Sequence, residues 1–146
     1  MNLIPILPEH LIEKYSLSEY PLCYEYIGPE RTHGDDYFKT NYHWYECIDD
    51  TETGSLSPNQ GQSFGLVCLT EQAWLPLSLH ISVLEVLKKG EGWGSKIMRF
   101  IINFAKSKRY KSITLQPHDD NLVKFYSKFG FLIRYYFDIK IMRLYL

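Results

Sequence analysis

The run Lys89-Gly90-Glu91-Gly92-Trp93-Gly94-Ser95 constrains this chain more than any other stretch. It follows a strand-like apolar run, Leu79 to Leu87, and opens a helix-like one, Trp93 to Lys108. Glycines at alternate positions remove the Cβ atoms that would keep a ligand off the backbone. A helix starting there turns its unpaired N–H groups and the positive end of its dipole into the same space. Phosphate and pyrophosphate groups bind at such places. The stretch therefore predicts a strand–turn–helix unit holding a phosphorylated ligand at the carboxyl end of the strand.

Spacing excludes two common versions of that unit. A P-loop needs a second glycine five residues after the first, followed by Lys-Ser/Thr; counted from Gly90, that place holds Ser95. A dinucleotide fingerprint, G-x-G-x-x-G/A, fails from either Gly90 or Gly92, because its last position falls on Ser95 or Ile97. Lys89-x-x-Gly92-x-Gly94 remains, a basic residue followed by two spaced glycines.

Composition narrows the class further. A chain of 146 residues with 45% hydrophobic and 23% charged residues reads as one globular domain spanning residues 1–146. The net charge of −1 gives no basic surface for nucleic acid. No apolar run approaches the roughly 18–20 residues of a membrane span. The first residues, Met1 to Pro8, lack a basic leader and a cleavable segment. The three cysteines, Cys23, Cys47 and Cys68, are scattered and odd in number. They carry no metal-ligand spacing and read as reduced, packed thiols of a cytoplasmic protein.

A second motif lies downstream: Asp119-Asp120-Asn121-Leu122-Val123-Lys124-Phe125-Tyr126-Ser127-Lys128-Phe129-Gly130-Phe131. Together with Lys89-x-x-Gly92-x-Gly94 it resembles the acetyl-CoA-binding segments of the GNAT superfamily of N-acetyltransferases. The resemblance covers roughly residues 77–146 well and residues 1–70 loosely. It implies an α+β fold, three-layered, with a mixed, mainly antiparallel central sheet flanked by helices. It also implies acetyl-CoA as co-substrate, a small-molecule or peptide amine as acceptor, and a possible homodimer.

The elements read from pattern agree with an α+β chain. Residues 9–17 read as a short helix. Residues 20–27 and 41–48 read as strands, 49–62 as a polar loop, and 63–69 as a partner strand. Residues 78–87 form an apolar central strand, and 93–108 form the clearest helix, with an apolar stripe through Ile97, Met98, Ile101, Phe104 and Ala105. Residues 113–115 form a short strand. Asp119 or Asp120 caps the next helix, and Gly130 ends it. Residues 132–136 and 139–146 close the sheet.

Candidate site residues follow. Gly90, Gly92 and Gly94, with the amides of Trp93 and Ser95, form the phosphate cradle. Lys88, Lys89 and Lys96 add positive charge, and Glu91 is expected to face solvent. The resemblance gives Tyr126 the role of protonating the departing thiolate, which a phenol of pKa near 10 can do. It gives the backbone of Leu84, Glu85 and Val86 contacts with the acyl carbonyl and pantetheine, an oxyanion-type role. It places a pantetheine contact at Asp119 or Asn121. His80 and Glu85 are candidate bases, since the attacking amine must be neutral, and His118 is a weaker one. Each has a plainer reading: a core tyrosine, helix capping for Asp119 and Asn121, a structural histidine, a solvent-facing carboxylate. The aromatic stretch Tyr20, Tyr24, Tyr26, Tyr37, Phe38, Tyr42, Trp44 and Tyr45 could line an acceptor pocket or pack a half-exposed sheet. Two rival functions stay open. One is a non-catalytic acyl-CoA-binding regulatory module on the same fold; the other is a nucleotide-binding α/β protein.

Overall fold

A computed structural model describes residues 1–15, 42–48, 63–71, 75 and 77–146. The expected strand at 20–27, the loop at 49–62, Cys23 and the aromatics from Tyr20 to Phe38 lie outside the described residues. Seven strands form one sheet in the order β1-β2-β3-β4-β5-β7-β6. They are β1 (Asn2–Pro5), β2 (Tyr42–Ile48), β3 (Ser63–Glu71), β4 (Ser78–Val86), β5 (Ser112–Leu115), β6 (Leu132–Tyr136) and β7 (Ile139–Tyr145). Three described helices flank the sheet: α1 (Pro8–Lys14), α2 (Trp93–Ser107) and α3 (Asp120–Ser127). Only β4 and β5 pair in parallel, joined through α2; every other neighbour is antiparallel. The sheet is mixed and mainly antiparallel, as expected.

The two faces carry different helices because β-strand side chains alternate. On one face, Val67, Leu69, Leu79, Ile81, Ile113, Leu115 and Met142 pack with Ile97, Met98, Ile101 and Ala105 of α2 and with Tyr126 of α3. Those α2 positions recur at helical spacing, so one stripe meets the sheet. On the other face, Leu11 of α1 packs with Trp44, Leu66, Cys68 and Val83. These are called below the α2 face and the α1 face. Among the described residues no helix is long and apolar enough to cross a membrane.

Two local features differ from the pattern reading, and the closing hairpin agrees with it. Strand β1 was not anticipated; Pro5 is tolerated in it because β1 is an edge strand. Helix α1 stops at Lys14, since Tyr15 is extended at φ −122° and ψ 144°. Strands β6 and β7 meet through Phe137 and Asp138, both at positive φ, the two-residue turn that suits a twisted hairpin.

The consequential irregularity is in β4. Cys68 pairs with Val83, but the next residue of β3, Leu69, pairs with Ile81. Ser82 is therefore an extra residue, a bulge that bends the strand. The register places Thr70 opposite His80 and Leu66 opposite Glu85, so both His80 and Glu85 lie on the α1 face. The β4–β5 ladder ends at Ile81 and Leu115. Beyond it β4 runs on to Val86 while β5 has finished, and the two strands part.

Candidate active site

A cavity of about 430 Å3 occupies the opening between the parted strands. That size suits a small-molecule site. Its first wall is the free end of β4: Leu84, Glu85 and Val86. The ladder alternation fixes where their backbone groups point. The Leu87 N–H donates to the Phe64 carbonyl at 2.9 Å. From there the β3–β4 ladder is regular back to Val83. Hydrogen-bonded and non-bonded pairs alternate along such a ladder. The N–H and C=O groups of Val83 and Glu85 therefore turn toward β3, and those of Leu84 and Val86 turn into the opening.

The second wall is the glycine turn and the start of α2, represented in the cavity by Lys88, Lys89, Gly90, Gly92, Trp93 and Gly94. Gly90 and Gly92 have φ of 86° and 76°, a conformation that other residues adopt only at a cost. Gly92 is the N-cap, with no side-chain cap and no acidic residue in the first turn. The amides of that turn are thus left for a ligand, and the dipole favours an anion. The ring of Trp93 stacks on Phe64 at 3.8 Å between centroids and 15° between planes. Lys88 lies over Phe64 at 4.9 Å and Lys96 over Trp93 at 4.3 Å. These ring contacts hold two cations beside the turn. Glu91 is exposed, as expected, and accepts a hydrogen bond from Trp93 Nε1 at 3.0 Å. Ser95 is outside the lining.

The third wall is α3, through Leu122, Phe125 and Tyr126. A Cβ at Gly94 would stand 3.5 Å from both Phe125 Cζ and Val86 Cγ2, so Gly94 marks the narrow point between two walls. Tyr126 is 7% exposed, and its ring meets Phe125 and Phe131 edge-on. Burial pushes its phenol up to about 12, so it keeps its proton at neutral pH.

The remaining candidates separate. Glu85 lines the cavity and is 7% exposed. His80 lies outside the lining. Its Nδ1 is 2.8 Å from the Thr114 hydroxyl within the β4–β5 ladder, and burial lowers its pKa to about 4. The bulge explains the displacement, because counting along a regular strand does not allow for the extra residue. Asp119 is the N-cap of α3, accepting from the Leu122 N–H at 2.8 Å. Neither Asp119 nor Asn121 lines the cavity, whereas His118 does. Sequence reasoning missed Ser82, Leu115 and Gln116, which line the vertex where the strands part. Leu122 and Phe125 were legible only as an apolar stripe.

The match to the acetyltransferase (GNAT) family model covers residues 15–131. No curated protein sequence matches the chain. Among solved structures, an acetyltransferase of the GNAT family from Staphylococcus aureus is similar over 99% of this chain and 98% of its own, with TM-score 0.61 and 17% identity. A GNAT family acetyltransferase from Elizabethkingia anophelis with acetyl-CoA bound covers 76% of this chain and 80% of its own, with TM-score 0.55 and 16% identity. A Bacillus subtilis acetyltransferase in complex with CoA covers the same shares, with TM-score 0.52 and 17% identity. Those likenesses concern the fold, and the family match spans most of the sequence: the chain belongs to the GNAT family of acetyltransferases.

Proposed function

We propose that this protein is a single-domain N-acetyltransferase that moves an acetyl group from acetyl-CoA directly to a primary amine. The observation that carries the reading is the cavity itself. It joins an uncapped helix start at Gly92 to the opened backbone of Leu84 and Val86 and to a buried phenol, Tyr126. Related folds have been crystallised with CoA or acetyl-CoA, which supports the same co-substrate here.

In this reading the pyrophosphate rests on the amides of the Gly90–Ser95 turn, with Lys88, Lys89 and Lys96 supplying positive charge. The thioester lies along the free edge of β4. The amine nitrogen forms a bond to the carbonyl carbon, and the oxygen takes the π electrons. The N–H groups of Leu84 and Val86 are the nearest donors for that oxygen. The C–S bond then breaks, and the sulfur takes the Tyr126 proton. The amine gives up its surplus proton to Glu85 or to water, and solvent restores the phenol, so charge and atoms balance. Burial raises the proton affinity of a thiolate for the same reason that it raises that of Tyr126, which keeps the transfer feasible.

Glu85 replaces His80 as the leading proton acceptor, since Glu85 borders the cavity and His80 does not. A panel of primary amines with acetyl-CoA, read by thiol release and by mass of the product, tests the reading. Acetylated amine and free CoA in equal amounts support it. Acetyl-CoA binding without transfer to any amine favours the regulatory module instead.

A further inference from the structure

The α1 face carries a polar strip that the proposed chemistry does not use. Ser82, His80 and Arg143 are each half-buried on that face, and each is held by a buried hydroxyl. Thr70 Oγ1 lies 2.7 Å from Ser82 Oγ. Thr114 Oγ1 lies 2.8 Å from His80 Nδ1. Ser112 Oγ accepts from Arg143 Nε at 3.1 Å and donates to Ser78 Oγ at 2.9 Å. Thr70, Thr114 and Ser112 are 5%, 0% and 0% exposed. Their positions follow the ladders, with His80 opposite Thr114 and Thr114 opposite Arg143. The α2 face of the same strands is apolar. Buried hydroxyls contribute little net stability over apolar packing, so a row of them on one face only calls for another reason.

Arg143 is the end of that row. Its Nη1 donates to the Tyr136 hydroxyl at 3.1 Å, and its guanidinium lies 4.7 Å from the Tyr145 ring centre. Among the described residues its partners are two hydroxyls and a ring, and no carboxylate is one of them. Of its five N–H donors, two are used within the described residues, and three on the two terminal nitrogens have no partner there. A guanidinium fixed in orientation, half-buried and with no anion beside it among the described residues is suited to a carboxylate in two-point contact.

The strip begins at the cavity, because Ser82 belongs to both. Helices α2 and α3 cover the α2 face, and α1 covers the other face over Trp44, Leu66, Cys68 and Val83, so among the described residues the approach left to an acceptor runs along the β5–β7 side of the α1 face. We infer that Arg143 selects the acceptor, binding a carboxylate at the end of the molecule remote from the amine, with Ser82 and His80 contacting the polar segment between them. This rests on the acetyltransferase reading above. Arg143 is two strands from β4, about 10 Å across at the usual strand spacing, and the parted edge lies on the order of 10 Å further along. An α-amino acid is too short for that span. A short peptide or a long ω-amino acid, reached by the arginine's own arm, fits it.

Matched acceptor pairs test the inference: trialanine against trialanine amide, and aminohexanoate against its amide, at saturating acetyl-CoA. The wild-type protein is expected to prefer each acid by at least tenfold in kcat/KM, through KM. Arg143→Gln is expected to remove the preference by raising KM for the acids alone, and Arg143→Lys to restore part of it. Acetyl-CoA binding by calorimetry should be unchanged in both variants. Equal use of acid and amide by the wild type, or turnover of neither, overturns the inference whether or not a variant folds. So does an equal loss on both members in Arg143→Gln, which marks a merely structural tie. Failure of acetyl-CoA to bind at all sinks the underlying reading instead, and calorimetry shows it separately.

Discussion

Replacing Gly94 by alanine separates fold from function at one position. Gly94 is the second residue of α2 and has an ordinary helical backbone. A new methyl would lie 3.5 Å from Phe125 Cζ and from Val86 Cγ2, which is van der Waals contact, so the packing accepts it. Alanine is also the better helix former, by about 0.5–1 kcal/mol in a helix interior and less in the first turn. Thermal stability should therefore hold or rise slightly. Binding should not hold. Val86 and Phe125 belong to opposite walls of the cavity, and the methyl bridges the gap between them. A co-substrate passing that point must shift, and the amide contacts at the helix start shift with it. A charge-assisted hydrogen bond contributes about 1.5–3 kcal/mol, so losing one weakens Kd by roughly tenfold to a hundredfold. Calorimetry with acetyl-CoA on wild type and Gly94→Ala, alongside thermal melts, measures both quantities. Wild-type affinity in a stable Gly94→Ala protein would refute the placement of the co-substrate between β4 and α3.

Three further outcomes are expected. Gly65→Ala should do the opposite of Gly94→Ala: its Cβ would sit 2.5 Å from Ile97 Cδ1 and 3.2 Å from the Glu85 carbonyl, with Ile97 fully buried, so urea unfolding should show a loss of about 1–3 kcal/mol. His80 makes stability fall in mild acid. The native state holds it neutral down to about 4, while the unfolded chain takes a proton below about 6.5. The cost is small above pH 6.5, grows to about 2 kcal/mol at pH 5 and levels off at about 3 kcal/mol below pH 4; His80→Gln should flatten this slope, and an unchanged slope would remove His80 as its cause. Tyr126→Phe should lower kcat about a hundredfold and leave acetyl-CoA affinity within a few-fold. Wild-type activity should climb through pH 9 as the amine deprotonates, without a fall from Tyr126, whose phenol titrates near 12.

The parts that were legible in the sequence are those whose geometry is local. Glycines with positive φ, an uncapped helix start and a 3.6-residue apolar stripe are written within residues 90–107. Asp119 also announced its cap by type and position. The bulge at Ser82 was not legible. It arises from a mismatch between β3 and β4, two strands whose own patterns look regular, and no glycine or proline marks it. Its effect is large, since one extra residue exchanges the faces of everything beyond it. Alternation alone puts His80 and Glu85 on opposite faces because they are an odd number apart; the bulge brings them to one. Thr70, Thr114, Ser112 and Arg143 likewise look unremarkable in sequence, because they are united only by pairing across four strands. Strand β1 escaped notice because prolines beside a four-residue run obscure its alternation.

The most direct measurement is calorimetric titration of the wild-type protein with acetyl-CoA, CoA, ATP and NAD. The account expects micromolar binding of acetyl-CoA and CoA with one site per chain, and at least tenfold weaker binding of the other two. Equal binding of all four would reduce the glycine turn to a general phosphate site. No binding of acetyl-CoA or CoA would contradict the account at its centre, because the opened edge of β4 and the uncapped start of α2 would then hold nothing in common.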